Sequence, residues 1–311
     1  MQIQGFQIGH AHDEKLKSGV TVIVPDKPAI AAVHVMGGAP GTRETDLLAP
    51  EQLVQTVDAI VLAGGSAFGL DAASGTQAWL REQDRGYPVS TTRVPIVPSA
   101  ICFDLNNGGD KSWGRYAPYR ELGYWATSQL SSNPAEGRIG AGFGATTADA
   151  NGGFGLAEQK LGERIIVSAA VVCNAVGSVY VGDTKHFWAA PFEQDNEFGG
   201  LGFPHPMPDN ADVIKTKGST NPMENTTLAV VMTNAVLTQA ECKRVAINAH
   251  DGFARAIYPV HTPSDGDLVF VLSSNEIDLA ATGVEAIHIG TTAANTVARA
   301  ISKGIYLANS R

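Results

Sequence analysis

Three groups of residues have the types and spacing to do chemistry. The first is Asn225-Thr226-Thr227, where an irregular stretch gives way to an apolar run. A threonine hydroxyl holds its proton far above neutral pH and needs a base at hydrogen-bonding distance, and one solution is the threonine's own α-amine. A threonine inside a chain has no such amine. Breaking the Asn225–Thr226 bond would create one at the mouth of a strand, with a pKa of about 7.7–8.0, close to working pH. The segment before the bond could then leave the site. Thr-Thr entering a strand is also ordinary β-branched sequence.

The second group is Asp265-Gly266-Asp267, after His261-Thr262. Carboxylates two apart on a strand point to one face, where they could share a proton, hold a hydroxyl or orient an ammonium group. The same residues also read as a tight Asp-Gly turn. The third is Asn174, between two apolar runs, able to donate to a developing oxyanion or to form a turn. Gly64-Gly65-Ser66 and Gly140–Gly144 lack the glycine order or lysine of nucleotide loops, so they read as exposed amides lining a pocket. No further acidic residues cluster beside Asp265 and Asp267, and the eight histidines show no metal spacing. Neither a metal nor a cofactor is expected.

Alternating strands and helices must position these residues. Strands are expected over Gly19–Pro25, Ile30–Met36, Asp58–Ala63, Ser99–Leu105, Thr226–Met232 and Asp267–Leu272. Arg164–Cys173 and Ser178–Val181 are expected to pair around Asn174. Helices are expected from Gly65 to about Glu82, from Pro118 to about Leu130, and from Ile289 to about Ala308. Thr238-Gln239-Ala240-Glu241 is a capping box opening another, with Cys242, Val245, Ala246, Ala249, Phe253 and Ala256 on one face. Gly140–Gly155 reads as a loop, and Thr184–Asn225 is the longest irregular stretch. The mixture fits a layered α/β sandwich. With no repeat and no linker, one domain over 1–311 is expected.

The 311 residues are 44% apolar and 17% charged, against roughly 25% charged in an average soluble protein. Glycine, 34 residues, is about 11% of the chain against about 7% typically. This composition fits a large core with closely approaching backbones. A net charge of −9 disfavours nucleic acid. Cys102, Cys173 and Cys242 form no CxxC pair and read as core residues in a reducing compartment. No apolar stretch approaches about 18 residues, so no membrane span is expected. Residues 1–20 have no leader pattern, and a cytoplasmic location is expected.

Five segments, in order, resemble the DmpA-like family of self-processing hydrolases, which includes L-aminopeptidase/D-esterases, β-peptidyl aminopeptidases and nylon-oligomer hydrolases. They are AGGSAFGLDAASG (Ala63–Gly75), RIGAGFG (Arg138–Gly144), VVCNAVG (Val171–Gly177), ENTTLAVVMTN (Glu224–Asn234) and HTPSDGD (His261–Asp267). The resemblance implies a four-layer α/β/β/α sandwich of DmpA and ornithine acetyltransferase-like type, similar to N-terminal-nucleophile hydrolases. It implies self-cleavage between Asn225 and Thr226 into 1–225 (α chain) and 226–311 (β chain), with αβ units assembling into a homo-oligomer, commonly a tetramer. Thr226 would be the nucleophile, Asn174 the side chain near the reacting carbonyl, and Asp265 and Asp267 the pair positioning Thr226. The substrate would be a small peptide or amide. Many relatives carry a lysine after the glycine-rich loop, where Asn151 aligns here, and Gly65, Ser66, Phe103 and Asn151 are the expected pocket residues. Ornithine acetyltransferase-like acyl transfer and a non-processing binding or scaffold role are the alternatives.

Overall fold

Residues 226–235 read TTLAVVMTNA, with no charge and no alternation of polar with apolar. Such a run suits a strand buried on both faces. The structure, a computed structural model, describes residues 4–217, 225–280 and 283–310. The segment 218–224 ahead of the expected cut, Glu224 of the fourth motif included, lies outside the described residues. The strands are β1 (Phe6–Asp13), β2 (Ser18–Pro25), β3 (Ala29–Val35), β4 (Thr42–Arg43), β5 (Thr56–Val57), β6 (Ile60–Ala63), β7 (Tyr87–Val89), β8 (Thr92–Val94), β9 (Ser99–Ile101), β10 (Gly153–Leu161), β11 (Ile165–Asn174), β12 (Thr226–Ala235) and β13 (Leu268–Ile277). The helices are α1 (Ala72–Glu82), α2 (Tyr119–Ser128), α3 (Gln239–Ala256) and α4 (Val284–Asn309).

One sheet runs β1-β2-β6-β9-β4, the other β10-β11-β12-β13-β3-β5, and β7-β8 form a separate hairpin. Only β6–β9 and β12–β13 are parallel among these pairs. Ile8, Ile23 and Leu62 of the first sheet meet Val172, Leu228, Val230 and Phe270 of the second in a buried layer between the sheets. Val20, Val22 and Val61 face the other way, under Ala73 and Leu80 of α1 and Leu122 of α2. Val231 and Val269 pack under Val245 and Phe253 of α3 and Val297 and Ile301 of α4. The order is helices, sheet, sheet, helices: the expected α/β/β/α sandwich. Among the described residues no helix is long and apolar enough to cross a membrane.

All ten residues of β12 are buried. A slip of one residue would exchange its two faces and drive Thr226 from the inter-sheet layer to the helix side. Core packing therefore fixes which way the first residue of β12 points. The capping box on α3 is present: Glu241 N–H donates to Thr238 Oγ1 at 3.3 Å and Thr238 N–H to Glu241 Oε2 at 2.8 Å, worth about 1 kcal/mol.

Several expectations are corrected. Ser178–Val181 is no strand: β11 pairs with β10 on one side and β12 on the other, so Asn174 ends a central strand and does not turn a hairpin. The Gly140–Gly155 loop stops short, because Gly153 opens β10. Its glycines serve close packing: a Cβ on Gly155 would lie 2.1 Å from the Ala300 carbonyl of α4. Residues 102–105 lie beyond β9, α4 begins five residues before Ile289, and β1 was not anticipated. Cys102, Cys173 and Cys242 are buried free thiols.

His250 of α3 is 2% exposed, and its Nε2 meets the His34 carbonyl at 3.1 Å. Burial pushes this imidazole down to about 3; His261, His34 and Lys243 act the same way, and only the bond to the His34 carbonyl opposes them. An unfolded histidine titrates near pH 6.5, so below that the unfolded state takes a proton the folded state refuses. Stability is fully present above pH 6.5 and is lost as pH falls towards 3, by up to about 1.4 kcal/mol per unit. Melting temperature should drop through this window, and His250→Gln, which keeps a donor but does not titrate, should flatten the drop. Equal slopes in the two proteins would refute this origin.

Candidate active site

Asn174, the last residue of β11, and Thr226, the first of β12, are direct partners in the antiparallel ladder. Both share their strands' inter-sheet side with Val172 and Leu228, because side chains two apart point the same way. Each is almost fully buried, at 1% and 2% exposure. Thr227 faces the helices instead, with its hydroxyl 4.0 Å from Cys173 Sγ. The two threonines are thus distinguished by strand parity alone.

Thr226 Oγ1 donates to the Asn225 carbonyl oxygen at 2.5 Å. The same oxygen accepts from Gly266 N–H at 3.0 Å, and Asn225 forms a parallel bridge with Asp265. A hydroxyl and a backbone amide therefore converge on the carbonyl before β12. The Asp-Gly-Asp segment reaches Thr226 closely: a Cβ on Gly266 would lie 2.5 Å from Thr226 Oγ1 and 2.7 Å from the Ala39 carbonyl.

The two carboxylates hold the backbone on either side of this point. Asp267 accepts from Thr227 N–H at 2.7 Å through Oδ1, and from His261 Nδ1 at 2.8 Å and His261 N–H at 3.3 Å through Oδ2. Asp265 accepts from Val176 N–H at 3.3 Å, and from Thr262 N–H at 2.9 Å and Thr262 Oγ1 at 2.7 Å. Burial, and then the charge of Asp267, hold the Asp265 carboxyl above the usual range, against its own hydrogen bonds. Among the described residues neither carboxylate bonds Thr226 Oγ1. In the uncut chain they fix Thr226 through its neighbours.

Asp267→Ala would leave the Thr227 amide and His261 without their acceptor, and an unmatched buried donor costs about 1–3 kcal/mol. A lowered melting temperature is expected for alanine, and a smaller loss for Asp267→Asn, which keeps one oxygen for Thr227. An alanine variant melting with the wild type would show that the carboxylate holds nothing there.

Asn174 Oδ1 accepts from Thr146 N–H at 3.0 Å and Lys217 Nζ at 3.0 Å, while Nδ2 donates to the Phe103 carbonyl at 2.9 Å. A cavity of about 160 Å³ opens beside it, lined by Phe103, Asp104, Asn106, Asn107, Gly144, Thr146, Asn174 and Lys217. Burial raises the Asp104 carboxyl, whose Oδ1 takes Gly65 N–H at 2.7 Å.

Thr226, Asn174, Asp265 and Asp267 therefore come together, and Phe103 lines the cavity. Gly65 meets it through Asp104, and Ser66 N–H bonds the Cys102 carbonyl behind it. Asn151 is elsewhere: exposed at the end of α4, it exchanges hydrogen bonds with Asn309. Lys217 enters the site without any sequence spacing to announce it, whereas His261 and Gly266 belong to the HTPSDGD segment and were given no role of their own there. Among the described residues, no group of three or more His, Cys, Asp or Glu side chains could hold a metal ion.

The four-layer sandwich is a DmpA-type fold, similar to the N-terminal-nucleophile hydrolase fold. An L-aminopeptidase/D-Ala-esterase/amidase from Ochrobactrum anthropi, described as a variant of that fold, superposes with a TM-score of 0.69 at 19% identity, over 97% of this chain and 84% of that one. A Burkholderia sp. beta-aminopeptidase superposes with a TM-score of 0.67 at 18% identity over the same shares. Peptidase family S58 matches residues 1–311, and the chain belongs to that family. A Mycobacterium tuberculosis protein named as an uncharacterized aminopeptidase is 39% identical, over 97% of this chain and 92% of the relative. A 6-aminohexanoate-oligomer endohydrolase of Kocuria sp. is 29% identical, over 89% and 75%. The family and these relatives make this protein a hydrolase of peptide or amide bonds.

Proposed function

We propose that the chain cuts itself between Asn225 and Thr226 and that the freed Thr226 is the nucleophile of an aminopeptidase or amidase acting on small substrates. The observation that carries this reading is the Thr226 hydroxyl 2.5 Å from the Asn225 oxygen, with Gly266 N–H on that oxygen. In the precursor, Thr226 Oγ1 attacks the Asn225 carbonyl carbon and the C–N bond breaks. The acyl group passes to oxygen as an ester, and the nitrogen takes up the proton the hydroxyl gives up and leaves as the Thr226 amine. Water then opens the ester to an Asn225 carboxylate and a free hydroxyl. Gly266 N–H already donates to the oxygen that becomes negative in this step, so little reorganisation is needed as charge develops.

In the cut enzyme the Thr226 amine takes the hydroxyl proton. The oxygen then attacks a substrate carbonyl, the leaving amine departs protonated, and a second water releases the acid. Asn174 donates to the oxyanion, while Asp265 and Asp267 hold the strand start in reacting geometry. The chain acts as one domain, divided into 1–225 and 226–311, and pairs of these assemble into a homo-oligomer. The relatives named aminopeptidase and 6-aminohexanoate-oligomer endohydrolase support the substrate class. Denaturing intact-mass measurement tests the reading: two pieces, the smaller beginning at Thr226, are expected. One whole chain that nevertheless hydrolyses amino acid p-nitroanilides would overturn it.

A further inference from the structure

Lys217 is nine residues ahead of Thr226 in sequence, yet it is tied to the strand end opposite it. Its backbone N–H donates to the Val176 carbonyl at 3.0 Å. Its ammonium reaches Asn174 Oδ1 at 3.0 Å and the Asn174 carbonyl at 3.3 Å. Val176 N–H in turn donates to Asp265, so this lysine joins the same network as the acidic pair. It also lines the cavity beside Asn174.

A carboxamide can sit either way round, and only one way presents N–H to an oxyanion. Among the described residues, Thr146 N–H and Lys217 Nζ meet the oxygen side of Asn174 and the Phe103 carbonyl meets its nitrogen side. Turning the group over would set its NH2 against two donors. A charged donor on Oδ1 also draws electron density away from the nitrogen, which strengthens Nδ2–H as a donor.

We propose, resting on the reading above, that Lys217 is the positioning residue of Asn174. It fixes the carboxamide with N–H towards the reacting carbonyl and supplies the positive charge that sharpens that donor. Because Lys217 belongs to residues 1–225, it remains part of the α chain after the cut. It therefore serves both self-cleavage and turnover.

The test follows precursor disappearance on denaturing gels after pulsed cell-free synthesis, in wild type, Lys217→Met, Lys217→Gln, Lys217→Arg, Asn174→Ala and the Asn174→Ala/Lys217→Met double variant, with a thermal melt of each. Methionine and glutamine should slow cleavage by ten- to a hundredfold at unchanged melting temperature, and arginine should restore it to within several-fold of wild type. In the Asn174→Ala background the methionine change should add nothing, because its effect passes through Asn174. Wild-type speed in the methionine variant, no rescue by arginine, or a full further loss in the double variant would each overturn the proposal while leaving self-processing intact. A wild-type chain that never cuts overturns both.

Discussion

Thr226→Ala is expected to give one intact chain of 32.6 kDa under denaturing conditions and no hydrolysis of any amide. The loss should be near complete, because alanine removes the atom that attacks in both reactions. Thr227 has a hydroxyl one residue away, but it faces Cys173 on the opposite side of the strand. Thr227→Ala should therefore leave the cut in place, and Thr226→Ser, which keeps an oxygen at the same Cβ, should still cut. Folding is expected to survive in the alanine variant, since the methyl group of Thr226 is a small part of a ten-residue buried strand. Cleavage persisting at this bond in Thr226→Ala would assign the attack to another group. Cleavage lost in Thr227→Ala at an unchanged melting temperature would reverse the strand parity on which the site is built.

That parity is readable in the sequence only after the fold is known, and the contrast runs through the molecule. The strand over Thr226–Met232 was legible because burial on both faces demands an unbroken apolar run. The helix after Thr238 was legible because capping is local chemistry. By contrast β1, FQIGHAHD, is a sheet-edge strand whose last residues are exposed, and its polar tail hides it. The start of β10 was hidden by glycines that serve the approach of α4 and look like loop.

The site divides in the same way. Thr226, Asn174 and the acidic pair belong to short motifs that the fold brings together, although among the described residues the acidic pair bonds the neighbours of Thr226 and not its hydroxyl. Asn151 was placed by alignment with a lysine and lies with Asn309 instead. The cation beside Asn174 comes from Lys217, forty-three residues further along. No spacing rule links two such positions; only the path of the long irregular stretch does. His261 differs: it stands in the same short segment as Asp267, and a tight loop folds it back onto that carboxylate.

Gly266→Ala should be the most damaging change that removes no functional group. The added methyl would lie 2.5 Å from Thr226 Oγ1, 2.7 Å from the Ala39 carbonyl and 3.2 Å from Pro40 Cα. None of these can step aside freely. Ala39 is bound through its own N–H to the Asp265 carbonyl at 2.8 Å, and Thr226 is clasped by the Asn225 oxygen and the strand ladder. The turn must retreat, taking with it the Gly266 N–H that donates to the Asn225 oxygen. Losing one donor to a developing oxyanion slows such reactions by about a hundred- to a thousandfold, and the displaced hydroxyl adds to that. Overpacking of this kind costs about 1–3 kcal/mol, so a lowered but cooperative melt is expected beside an almost arrested cut. Because every side chain named in the mechanism is retained, this variant separates geometry from composition. Cutting at the wild-type rate would mean that the Gly266 amide stabilises nothing, and the oxyanion would have to be held by Asn174 alone.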